Sequence, residues 1–271
     1  MSDTTPLNYQ EIMSLLKESN KQFDSEIYIP SLNKEIHTKP MNAVHLKSII
    51  KTALSGTFID NSFNQTVYSI MKDVLDPSIP LYNITILDKI SILLELRKRN
   101  VKSTMDVDMT SKDITKKISI EIDEVLAKIK KQKFNFSDTI VVDGTCEVTL
   151  NFPSIEQEFL FDRDLDQQHI KKLDEKDKSS MKDMPGIMFI YYLAQFIKNI
   201  TIGENNINLT SRPIKERLSI VENLTGNIIN KIIEKIDSDF GQQMNNIMKI
   251  EQTIDGEVFK GIIEINPMLF S

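Results

Sequence analysis

The sequence predicts an α+β chain: an N-terminal β-hairpin with three helices, central antiparallel β-hairpins, and C-terminal helices closed by a terminal hairpin. Three observations carry this. Apolar residues recur at helical spacing in several stretches, and short runs of strict apolar/polar alternation lie between them. Two Asp-Gly pairs, Asp143-Gly144 and Asp255-Gly256, each separate two strand-like runs, a strong short-range hairpin signal. Finally, Ile84–Ser103 reads as a buried amphipathic helix around which the rest is arranged. Leu87, Ile90 and Leu94 share one stripe, and Ile86 and Leu93 widen it.

Taken in order, residues 1–24 form a polar arm with one helical pattern at Ile12, Leu15 and Leu16, suited to packing on a neighbour. Glu26–Pro30 and Glu35–Lys39 read as strands joined by Ser31-Leu32-Asn33-Lys34. On the second strand Glu35, His37 and Lys39 face water while Ile36 and Thr38 face in, which makes His37 a surface residue. Asn42 caps a helix through Leu54, with Val44, Ile49, Ile50 and Ala53 inward and Gly56 as its stop. Ser62 caps another through Leu75, with Phe63, Val67, Ile70, Met71 and Val74 on its apolar face. In the central helix Thr85 is the N-cap, and Asp88 completes a capping-box pattern. Arg97, Lys98 and Arg99 crowd the last turn, where the helix dipole favours cations. That basic end is either a solvated terminus or a clamp that docks a partner or pins the next part of the chain.

Thr104–Met109 and Lys117–Asp123 alternate as strands. Glu124–Lys133 is a short helical insertion with a basic tail. Asp138–Val142 and Thr145–Phe152 form the next hairpin, with Val141, Cys146, Val148 and Leu150 facing the core. A meander covering one side of the helices is the expected assembly. Residues 162–183 are almost wholly polar and charged, and read as a linker or insertion. The expected division is therefore 1–24, 25–161, 162–183 and 184–271. A helix from about Pro185 to Asn199 is apolar nearly all round (Ile187, Met188, Phe189, Ile190, Leu193, Phe196, Ile197), which predicts burial on most sides. Thr201–Leu209 is a polar loop or small hairpin. Thr210 or Ser211 caps a helix with Leu218, Val221 and Leu224 inward. A further helix spans Asn227–Ser238. Asn246–Thr253 and Glu257–Ile265 form the terminal hairpin, and Met268-Leu269-Phe270 is an apolar hook.

Composition narrows the function. Over 271 residues the net charge is −6, which argues against a general nucleic-acid binder, since that needs a cationic surface. The single cysteine, Cys146, excludes an internal disulfide and any zinc site built on cysteine pairs. The start has no basic region followed by an apolar stretch, so no signal peptide is expected. The longest apolar run, Ile187–Ala194, is far short of the ~20 residues of a membrane-spanning helix.

No sequence pattern for catalysis is present. G-x-S-x-G, G-x-x-x-x-G-K-[ST] and G-x-G-x-x-G are all missing. Asp162, Asp164 and Asp166 alternate like the start of a calcium loop, but Gln167 and Leu173 occupy the positions that need Gly and a bidentate Glu. No catalytic, cofactor-binding or metal-ligating residue is expected. Two competing readings have definite requirements. A small enzyme would need Asp106, Asp108, Arg97 and His37 to converge. A nucleic-acid accessory would use Lys128–Lys133 and Arg97–Arg99.

The chain also resembles the baseplate hub subunit and hub assembly protein family of T-even-type contractile-tailed bacteriophages. The resemblance rests on Tyr28-Ile29-Pro30-Ser31 through Lys39-Pro40-Met41, then two helices, then a helix like Leu87–Arg97. Leu96-Arg97 matches the family, and Val101-Lys102 stands where it has Val-Gly. Phe152-Pro153 closes a strand, and a terminal hairpin ends in an aromatic, Phe270. Some relatives carry cysteine pairs at two hairpin turns. Here those turns read Val142-Asp143-Gly144-Thr145 and Ile254-Asp255-Gly256-Glu257, so no metal ligands are carried over. The resemblance implies a non-enzymatic baseplate hub component, or a transient hub assembly chaperone, that binds other hub or tail proteins. It would work in the host cytoplasm during assembly or in the virion tail baseplate, as part of a homo- or hetero-oligomer. Arg97, Lys98, Arg99, Phe189, Tyr192, Phe196, Leu269 and Phe270 are the residues expected to meet partners.

Overall fold

The computed structural model describes residues 8–19, 23, 25–55, 62–172 and 178–270. The start of the expected arm, the helix stop at Gly56 and residues 173–177 of the charged stretch lie outside them. The chain is α+β, and the central helix organises it as the periodicity predicts. This helix, α4 (Ile86–Asn100), follows α1 (Tyr9–Ser19), α2 (Ala43–Ser55) and α3 (Ser62–Val74). Twelve consecutive residues of it, Ile86 to Arg97, are buried. That exceeds a single stripe, so α4 is covered on all sides. Its N-terminus is the expected capping box: the Asp88 N–H donates to Thr85 Oγ1, and the Thr85 N–H donates to the Asp88 carboxylate at 2.7 Å.

Strands β1 (Ser25–Ile29) and β2 (Lys34–Thr38) pair antiparallel, Glu26 opposite His37, through a 3-10 turn at Pro30–Leu32. Ile27, Ile29, Ile36 and Thr38 are buried while Glu35 and His37 face outward. Asn42 caps α2 by accepting the Val44 and His45 N–H groups at 3.0 and 3.1 Å. The inward face of α2 differs from expectation. Ile49 is buried, but Val44, Ile50 and Ala53 are exposed, and Leu54 is 83% exposed.

The expected meander is replaced by two separate four-stranded sheets. In the first, β3 (Thr104–Ser111) pairs with β4 (Ile114–Glu121) and, on its other side, with the terminal hairpin β9 (Lys249–Ile254) and β10 (Glu257–Ile262). The β3–β10 junction has Gly261 opposite Met109. A Cβ on Gly261 would lie 2.8 Å from Met109 Cγ and 2.9 Å from the Asp108 carbonyl oxygen, so only glycine lets the strands approach. In the second sheet, β5 (Thr139–Asp143), β6 (Cys146–Leu150), β7 (Ile197–Ile202) and β8 (Asn205–Asn208) run in sequence order. The two Asp-Gly turns differ. Asp255 and Gly256 both take positive φ, 52° and 80°, as a type I′ turn requires. At the other, Asp143 pairs with Cys146, and the loop is Gly144-Thr145 with positive φ at Gly144 alone. Positive φ at the first loop residue only is the type II′ signature.

Four helices complete the fold between the two halves of the first sheet: α6 (Ile155–Gln168), α7 (Lys178–Phe196), α8 (Ile214–Glu222) and α9 (Gly226–Lys235). A π turn at Ile236–Gly241 then leads into α10 (Gln242–Met248). Earlier, α5 (Ile122–Lys131) takes up Asp123, expected in a strand. Residues 162–168 are helical as part of α6, because Ser154 caps it and Phe161 and Leu165 carry its buried face into the charged stretch. Helix α7 stops at Phe196, and Ile197 enters β7 opposite Leu150. The β-branched run Ile197, Ile200, Thr201, Ile202 suits the pleated position beside β6. Thr210 and Ser211 bond within their own turn, and Pro213 is the N-cap of α8. The buried apolar side chains form one cluster that runs from Ile27 to Phe270.

Candidate functional site

Five charged side chains of α4, Asp88, Lys89, Arg97, Lys98 and Arg99, reach beyond the helix, while Glu95 pairs with Lys98 and Arg99 inside it. Asp88 accepts the Ser31 N–H at 2.8 Å, and Arg99 donates to Thr38 Oγ1 at 2.8 Å and to the Glu26 carbonyl at 2.7 Å. The β1–β2 hairpin is thereby fixed along α4 at both ends. Lys89 meets Glu158 of α6 at 2.6 Å and Asn64 of α3 at 3.3 Å. Lys98 binds Glu95 at 2.9 Å and Asp123 of α5 at 2.8 Å. Arg97, 6% exposed, donates to the Leu269 carbonyl in the 3-10 turn Pro267–Phe270 and to the Thr104 carbonyl at the start of β3. The basic end predicted from the sequence therefore clamps its own chain, with Arg97 committed to the Leu269 and Thr104 carbonyls.

The other expected contact residues divide in the same way. Leu269 and Phe270 are buried, because the apolar hook folds back onto the chain's own core. Phe196 is buried too, its ring 5.3 Å from that of Phe240. Phe189 and Tyr192 lie outward with Met188, so α7 is buried on one side only. Among the described residues the most exposed apolar faces are on α1 and α2. Tyr9 is 75% exposed, and Ile12, Leu15 and Leu16 are exposed with it. The sequence showed the α1 pattern. It misassigned α2, where aliphatic residues stand on both sides of the helix.

The four groups that an enzyme would need do not all converge. Arg97, Asp106 and Asp108 do line one cleft, of about 360 Å³. His37 is not part of it and stands 3.6 Å from Glu26 on the hairpin. His45 meets Asp73 at 3.1 Å, with its pKa lowered first by burial, and His169 packs edge-on to Tyr191. The three carboxylates of the calcium-like stretch take separate partners. Asp162 accepts from Asn64 at 2.9 Å, Asp164 from Tyr191 at 2.7 Å, and Asp166 lies 2.7 Å from Lys171. Among the described residues no three His, Cys, Asp or Glu side chains gather as metal ligands would. The Cys146 thiol is pushed up by burial and by Asp143, away from the reactive thiolate. On the basic tail of α5, Lys128 donates to the Lys249 carbonyl at 2.7 Å and Lys130 pairs with Glu35 at 2.7 Å.

Residues 21–256 match the family model described as T4 bacteriophage base plate protein. The chain belongs to that family. No curated protein and no solved structure matches it. As a member of a T4-type baseplate family, this chain has other baseplate proteins as its natural neighbours. In a baseplate protein, outward apolar helix faces are the surfaces with most to gain from contact. Here those are α1, the Val44–Ile50–Leu54 side of α2, and Met188, Phe189 and Tyr192 of α7. None of the described helices is long and apolar enough to cross a membrane.

Proposed function

We propose that this chain is a non-enzymatic component of the baseplate hub that acts through protein–protein contacts during tail assembly. One observation supports this above others. Helix α1 is amphipathic and capped, with Asn8 and Glu11 exchanging N–H bonds at 2.8 and 3.0 Å, yet among the described residues its apolar face stands exposed. A helix of 11 residues is marginal alone in water and gains stability mainly by burying such a face. The Tyr9, Ile12, Leu15 and Leu16 face is suited to a groove on another subunit. Phe189 and Tyr192 on α7 form a second contact surface, while Lys98 and Arg99 contribute elsewhere only through what their internal pairs leave free.

The test is co-purification with the other late proteins of the phage, with mass spectrometry of both the complex and finished virions. Recovery in both makes the chain a hub subunit of the tail baseplate. Recovery in the complex alone makes it an assembly chaperone of the host cytoplasm. A stable monomer recovered with neither overturns the reading.

A further inference from the structure

A second cleft, of about 600 Å³, opens between the N-terminal ends of α6 and α8 and the segment that follows β6. Arg217 of α8 forms part of its wall and is only 4% exposed. One Nη donates to the Ala194 carbonyl at 2.7 Å, and the guanidinium stacks 4.6 Å from the centre of the Phe161 ring. The remaining polarity is unanswered. Arg217 Nε is buried with no hydrogen-bond partner, and so is Asn151 Oδ1 in the same wall. The other charged wall groups are committed or distant. Arg212 pairs with Glu216 at 3.0 Å and Asp138 with Lys198 at 2.6 Å, while Glu156 acts on Tyr68.

A buried cation that lacks a counter-charge is unfavourable to the fold. Among the described residues the other buried charges are answered: Lys89 has Glu158, Glu95 has Lys98 and Arg99, Asp88 has Ser31 and Thr85, Asp162 has Asn64, and Arg97 has two carbonyls and the charge of Asp106. For Arg217 the direction agrees, since burial alone lowers its pKa to about 10 and no carboxylate offsets it. A carboxylate would supply what is missing, in the planar geometry that arginine binds best. The volume exceeds that of a single small acid and suits several residues of peptide. Tyr82 and Leu160, both exposed on the rim, offer apolar surface to the flanking side chains.

We propose that this cleft binds a short acidic peptide segment of a partner protein, with Arg217 meeting its carboxylate and Asn151 pairing with its backbone. This rests on the reading of the chain as a protein that works through contacts with others. It is separable from the α1 surface, which faces a partner through apolar contact alone.

The experiment places a photo-crosslinking residue at Tyr82, and separately at Leu15, in the full chain expressed with the late phage proteins. The expected result is a crosslink from position 82 to a segment containing Asp, Glu or a C-terminal carboxylate. Arg217→Met in the same chain should lower that yield at least tenfold and leave the Leu15 crosslink intact. Arg217→Met removes an unpaired charge but also the donor to the Ala194 carbonyl, so thermal melting of the isolated variant first establishes that it folds. Crosslinks from Leu15 with none from Tyr82 overturn the cleft and leave the contact reading standing. Silence at both positions overturns both. A crosslinked segment without a carboxylate, or a yield unmoved by Arg217→Met, also overturns the proposal. If the variant fails to fold, neutralising the partner's acidic residue decides by the same tenfold criterion.

Discussion

The Asp88 carboxylate holds the Ser31 N–H at 2.8 Å with one oxygen and the Thr85 N–H at 2.7 Å with the other. One side chain thus closes the N-terminus of α4 and fastens the turn of a hairpin 57 positions earlier. Replacing it removes a cap and orphans a buried N–H together. Asp88→Ala is expected to destabilise by about 2–4 kcal/mol, measured by urea unfolding. A loss below ~1 kcal/mol means that the cap and the hairpin clamp are not coupled.

Asp162 sets a pH dependence. Burial, and next the Glu158 charge, push its pKa from 3.8 to about 6, against the opposing pull of Asn64 and Lys89. The folded state therefore holds a proton that the unfolded state has released between those values. Stability should fall as pH rises from about 4 to about 6 and then level off, by up to about 3 kcal/mol. Asp162→Asn should flatten that slope and leave the chain more stable than the wild type at pH 8. A variant with an unchanged slope would place the titration elsewhere.

Arg97 ties the Leu269 carbonyl to the end of α4. With Arg97→Met the aliphatic volume stays and two carbonyls lose a charged donor. The expected cost is about 2–4 kcal/mol. Hydrogen exchange should speed up first in residues 263–270 and at the start of β3, ahead of α9. Uniform loss of protection would show that the clamp has no local role.

Gly261→Ala drives a methyl into the Asp108 carbonyl and Met109. Backbone cannot yield as a flexible side chain can. The two halves of the first sheet should separate at a cost of about 2 kcal/mol or more. The sensitive readout is amide exchange along β3 and β10 with β5–β8 unchanged.

On α1, Leu15→Asp with Leu16→Asp touches no buried contact. Stability of the isolated chain should stay within about 0.5 kcal/mol, while co-purification with baseplate partners falls sharply. Retained binding would move the contact to α7, where Phe189→Ser with Tyr192→Ser becomes the decisive pair.

What the sequence disclosed was local. Thr85 and Asp88 are three residues apart, so their box is visible without tertiary knowledge, and Asp255-Gly256 specifies its own turn. The face of α2 was illegible because Leu46 and Ile49 on one side compete with Val44, Ile50 and Leu54 on the other. Periodicity names two apolar stripes and cannot choose the buried one. The end of α7 was hidden because Ile197 continues a helical pattern while belonging to a strand. The pairing of β3 with β10 left one trace, Gly261, whose meaning needs Met109 beside it. For the contact residues, the clustered basic end of α4 was visible, but whether it faced out or in was not.

 The answer came from two backbone carbonyls, Leu269 and Thr104, which no side-chain pattern reveals.

The pairing of β10 with β3 has a consequence for biosynthesis. Strand β3 leaves the ribosome early, yet the edge it offers to β10 stays open until residues 257–262 have been made. The burial of Leu269 and Phe270 and the bond from Arg97 to the Leu269 carbonyl likewise come late. A nascent chain halted before that point carries a bare strand edge, prone to wrong pairing. The first sheet of this baseplate protein is thus completed only after residues 257–262 have been synthesised.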